Sequence, residues 1–87
     1  MPYIKPEERD KWEGVIGEVI TIMNELPEDQ KDGELNYLIS SFLRRVYTPR
    51  YFNYNRVIGL LECIKQEMYR RVVGPYEDEK IAENGDI

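Results

Sequence analysis

Apolar residues recur along this chain with the three-to-four spacing of amphipathic helices, and nowhere with the strict alternation of half-buried strands. Trp12, Val15, Ile16, Val19, Ile20 and Met23 form the first such stripe. Pro6 suits the first position of that helix, where its missing N–H has no partner to lose, and Glu7, Glu8 and Asp10 sit by the positive end of the helix dipole. Leu26 and Pro27 end it. LPEDQKDG reads as a polar loop, with Asp32 capping a second helix whose stripe is Leu35, Leu38, Ile39, Phe42, Leu43 and Val46. Tyr47-Thr48-Pro49 stops that helix, because a proline disfavours helical backbone in the residue before it.

The third stripe is Val57, Leu61, Ile64, Met68 and Val72, widened by Ile58 and Leu60, with Asn53 or Asn55 as the cap. It is the longest and most apolar of the three. Gly74-Pro75 then breaks or kinks the chain, since the ring of Pro75 would clash with the carbonyl of Arg71. Pro75, Glu77 and Asp78 open a short last helix, and Asn84-Gly85 closes it. The pattern predicts an all-α fold, a compact three-helix core with a short fourth C-terminal helix. It is a single helical domain over residues 1–87, with helices at about 6–25, 33–47, 54–73 and 75–84.

Composition narrows the chemistry more than the fold. The apolar share of 41% excludes disorder of the whole chain. There is no histidine and one cysteine, Cys63, so zinc sites of the usual N/S type, Cys–His pairs and catalytic triads are unavailable within one chain. We therefore expect no catalytic residue, no metal and no cofactor. No apolar run approaches membrane-spanning length, and MPYIKPEERDKW has no signal-peptide pattern. These features predict a cytoplasmic protein with no membrane partner.

The net charge of −5 hides an asymmetry that changes the picture. Residues 1–34 carry four Lys/Arg against ten Asp/Glu, residues 35–74 seven against two, and residues 75–87 one against five. The middle is basic and both ends are acidic. In that middle, Arg44, Arg45, Arg50, Arg56, Lys65, Arg70 and Arg71 are interleaved with Tyr47, Tyr51, Tyr54 and Tyr69. Arginine among aromatics is a footprint of single-stranded nucleic-acid binding. The plainer alternative is that the acidic ends neutralise the basic centre. Lys65 and Arg71 fall where the helical wheel expects apolar groups. Their stems can lie along apolar surface, or their heads can meet an anion, Glu62 being the local partner of Lys65. The candidate binding set is thus Arg44, Arg45, Arg56, Glu62, Lys65, Tyr69, Arg70, Arg71 and Tyr76.

Other constellations are poorer. Glu77, Asp78, Glu79, Glu83 and Asp86 lack the alternation around a glycine that a calcium loop needs. Magnesium-dependent nucleotide pyrophosphohydrolases gather carboxylates on two helices. Here Glu62 and Glu67 point about 140° apart, a poor match. Gly14, Gly17 and Thr21 share one face of the first helix, which would admit a close backbone, either the C-terminal segment or a second subunit. These readings favour a non-enzymatic binding or assembly protein that forms a homo-oligomer, with a nucleic-acid or phosphate-ligand binder using the basic centre as the alternative and a magnesium-dependent nucleotide hydrolase as the less favoured third. The C-terminal segment is expected to be ordered and turned back at Pro75, its carboxylates near the basic centre and Tyr76 against the core.

GELNYLIS and NYNRVIGLLECIKQEMYRRVVGPYEDEKIAENGDI resemble a family of small uncharacterised proteins encoded in phage and prokaryotic genomes. The opening MPYI fits as well, and ECIKQEMYRRVVGPYEDEKIAENGD is the most specific part. Gly74 stands where that family leads one to expect alanine. The resemblance implies a discrete, intact domain and brings no activity, cofactor or catalytic residue with it.

Overall fold

A computed structural model of the chain describes residues 4–87. Those residues form helices and turns with no strand, so the chain is all-α. It divides into two units, residues 1–46 and residues 47–87.

In the first unit a single 3-10 turn, Pro6–Glu8, leads into α1, Asp10–Asn24. The Arg9 guanidinium donates to the Ile4 carbonyl at 3.1 and 3.2 Å. The amides of Glu25 and Leu26 close the end of α1 on the carbonyls of Ile22 and Met23. α2 then runs from Glu28 to Val46. Its start corrects the sequence reading, because LPEDQKDG is not a loop and Asp32 is not a cap. Pro27 supplies the start instead, its carbonyl accepting from the Gln30 amide at 3.0 Å. Glu28 and Asp29 complement the dipole in the first turn, and Lys31 pairs with Glu28 at 2.7 Å. These contributions carry the helix through Gly33, whose cost is about 1 kcal/mol against alanine.

The second unit is helical from Tyr51 to Asn84: α3, Tyr51–Met68, a π-helical turn over Tyr69–Val73, and α4, Gly74–Asn84. Neither Asn53 nor Asn55 caps α3; the cap position is Arg50, whose carbonyl accepts from the Tyr54 amide. The break expected at Gly74-Pro75 is replaced by the wide turn. Gly74 keeps helical backbone angles, φ −56° and ψ −54°, and its amide bonds to the Tyr69 carbonyl five residues back. A regular α-turn would drive the ring of Pro75 into the Arg71 carbonyl, and inserting one residue into the turn relieves that clash. The C-terminal segment therefore continues α3 as helix and is not turned back. A Cβ on residue 74 would lie 3.2 Å from the Tyr69 carbonyl oxygen, so glycine suits the site. At the far end Gly85 adopts φ 89°, a conformation glycine takes without strain, and its amide bonds to the Ile81 carbonyl.

The apolar stripes remain accessible. No apolar side chain among the described residues is buried. Val19, Met23, Leu38, Leu43, Val57, Leu60 and Leu61 are half-buried, while Trp12, Ile16, Phe42, Ile64, Met68 and Val72 are exposed. Tyr76, expected against a core, is 58% exposed. A Cβ on residue 14 or 17 would meet no other described atom of this chain within 4 Å beyond the local helix backbone. Thr21 donates back to the Gly17 carbonyl at 3.0 Å.

Candidate helix surface and its charge pairs

The one buried residue among those described is polar. Asn53 lies near the start of α3 and donates through Nδ2 to the Thr48 carbonyl at 3.0 Å and to the Thr48 hydroxyl at 2.8 Å. Its Oδ1 accepts from Arg56 at 3.2 Å. The Arg56 guanidinium also lies over the rings of Tyr47 and Phe52, at 5.3 and 5.9 Å from their centres. Arg56 is thus engaged in holding the corner that begins the second unit. Replacing Asn53 by alanine is expected to cost about 1 kcal/mol, the scale of a lost internal hydrogen bond. Faster amide exchange confined to the first turns of α3 checks this.

The other candidates occupy two stretches of surface. Arg44 and Arg45 end α2 and border a shallow depression with Tyr37 and Ser41. Lys65, Tyr69 and Arg70 border a second, with Gln66 and Glu67, on the other unit. In this second stretch the charges meet neighbours on their own helix. Lys65 pairs with Glu62 at 3.3 Å, as the spacing predicts, and Gln66 donates to the same Glu62 oxygen at 3.3 Å. Those two contacts, the Gln66 bond first, hold the Glu62 carboxyl below its usual 4.5. Their contribution is therefore complete above that value and is lost as pH falls through the lowered one. Arg70 donates to both oxygens of Glu67 at 3.0 and 2.9 Å. Arg71 lies exposed in the π-helical turn.

One contact escaped the sequence reading. The Glu77 carboxylate, eight residues on, favours the protonated Tyr69 phenol, first as a hydrogen-bond acceptor and then through its charge, and so raises it above its ordinary 10.0. Eight residues of regular helix would leave the two side chains about 80° apart. The extra residue in the π-helical turn returns them to one face. The neutral phenol is the favoured form, so the contact is complete below pH 10 and disappears as pH rises through the elevated value. We expect Tyr69 to ionise above its ordinary 10.0 in a titration of the phenol, and Glu77→Gln to bring it back toward that value. Lys80 adds a contact over the Tyr76 ring at 5.5 Å and an ion pair with Glu83 at 3.2 Å.

No group of three or more His, Cys, Asp or Glu among the described residues is placed to hold a metal ion. Cys63 is exposed. No helix among the described residues is long and apolar enough to cross a membrane. Over residues 1–87 the chain matches, and belongs to, the domain-of-unknown-function family DUF6899. No curated protein and no solved structure matches it.

Proposed function

We propose that this member of DUF6899 is a non-enzymatic assembly protein whose chains associate with one another through the apolar faces of their helices. The observation that carries this reading is the accessibility of those faces. The chain is 41% apolar, yet no apolar side chain among the described residues is buried. Exposed apolar surface on this scale marks an interaction site, and amphipathic helices draw most of their stability from burying such a face. The residue types point away from catalysis, for a chain without histidine and with one exposed cysteine has few groups that titrate near neutral pH. The pairs Lys65–Glu62, Arg70–Glu67 and Lys80–Glu83 join neighbours on one helix at largely exposed sites, where such pairs contribute little to stability.

Sedimentation equilibrium across micromolar to near-millimolar concentration tests the reading. The expected mass is a multiple of the 10.4 kDa chain. A helical protein that stays at the monomer mass throughout would overturn it. The runner-up, a nucleic acid on the basic centre, predicts binding that weakens steeply with salt.

A further inference from the structure

We infer that the helix from Tyr51 to Asn84 pairs antiparallel with the same helix of a second copy, in a register that sets Gly74 opposite Gly74. The inference rests on the self-association reading and names the partner and the geometry. The helix is 34 residues of continuous backbone, about 50 Å long. Along it Val57, Leu61, Ile64, Met68, Val72 and Tyr76 are half-buried or exposed.

Charge identifies the occupant of that face. The helix is basic before Gly74, with Arg56, Lys65, Arg70 and Arg71 against Glu62 and Glu67. It is acidic after it, with Glu77, Asp78, Glu79 and Glu83 against Lys80. A parallel in-register partner would set like against like over both stretches. An antiparallel partner centred on Gly74 brings Lys65 level with Glu83, Arg70 with Asp78 and Arg71 with Glu77, and sets Glu67 beside Lys80. Only Glu62, level with Asp86, meets its own sign. Sliding one copy by seven residues in either direction spoils the match, bringing Arg70 level with Arg71 or Glu77 level with Asp78. The complementarity therefore selects the antiparallel orientation and a register centred within a residue of Gly74. The apolar stripe supplies strength, while flanking charges set partner and direction, as in coiled coils. Such a pairing is closed by a two-fold axis and does not propagate into filaments. The argument uses the net charge of each stretch and is compatible with the Arg70–Glu67 bond inside each chain.

The single exposed cysteine makes the test direct. A nitroxide on Cys63 of the full chain lies eleven residues from the proposed centre. Its distance to the label on the second copy should be about 35 Å, from the helical rise and an interaxial spacing near 10 Å. A label at residue 84, in the Cys63→Ser, Asn84→Cys chain, should give about 30 Å. A parallel pair would bring both distances below about 20 Å, and a seven-residue slip would make them differ by about 20 Å. Either result overturns the inference while leaving self-association standing. A monomer without any inter-label distance overturns both.

Charge reversal supplies an independent arm. The Lys65→Glu, Arg70→Glu, Arg71→Glu chain and the Glu77→Lys, Asp78→Lys, Glu83→Lys chain should each self-associate at least about tenfold more weakly than the natural chain. Mixed, they should form a one-to-one complex of near-natural affinity, because both halves of the pairing are again complementary. No preference for the mixed complex would count against the proposed register.

Discussion

Replacing Ile64 by aspartate should convert the assembled protein to monomer at concentrations where the natural chain is associated. Ile64 sits mid-stripe on α3 and is 48% exposed in the single chain, so about half its surface remains to be covered. Burying an isoleucine side chain fully is worth about 1.5–3 kcal/mol. A two-fold pair buries the residue twice, so even half that burial gives a loss of about 1.5–3 kcal/mol per pair. The aspartate adds the cost of desolvating a carboxylate without a partner. At about 1.4 kcal/mol per factor of ten, the dissociation constant should rise at least tenfold to a hundredfold. Helix content should fall with it, because a helix without tertiary burial is marginal in water. Circular dichroism and sedimentation on the same samples check both expectations. Ile58→Asp, one turn and a half away at 66% exposure, is the comparison on the same helix. Equal association of Ile64→Asp and the natural chain would show that the stripe faces solvent in the assembled protein too.

The helical periodicity was legible because each stripe extends over several turns, and the all-α fold follows from it. The boundaries were harder, for reasons that differ from place to place. At residues 27–33 the sequence offers two competing starts, Pro27 followed by two acids and Asp32 followed by glycine. The chain takes the earlier one, because five further residues of helix add backbone bonds and the Lys31–Glu28 pair. At Gly74-Pro75 the local rule is sound for a regular α-helix, yet one inserted residue evades it at the cost of a distorted turn. That insertion also hid the influence of Glu77 on Tyr69, since the usual three, four and seven spacings do not reach eight. The Lys65–Glu62 pair, with ordinary spacing, was visible from the letters alone. The stripes announced apolar faces in need of cover, and periodicity alone cannot distinguish cover by the same chain from cover by another. Asn53 shows the converse: a residue read as a cap reaches back five positions to Thr48, a contact set by the tight corner before α3.

Deleting residues 75–87 should lower the melting temperature by about 10 °C at fixed protein concentration and weaken association together with it. The segment is helical over most of its length and carries Tyr76 and Ile81, 58% and 43% exposed in the single chain. Covering these in an assembled state is worth about 1–2 kcal/mol, and for a domain this small each kcal/mol moves the transition by about 4–8 °C. The deletion also removes five of the acidic groups and one lysine, leaving the basic stretch of the helix without its counterpart. If the segment pairs with a second copy, the loss should depend on protein concentration, since dissociation and unfolding are linked by mass action. If it only prolongs its own helix, the change in melting temperature should be the same at every concentration. High salt separates the two further: it should narrow the difference between deleted and full-length chains where exposed charges select the partner, and leave it where they do not. An unchanged melt at every concentration would make residues 75–87 a solvated appendage, whatever their helicity.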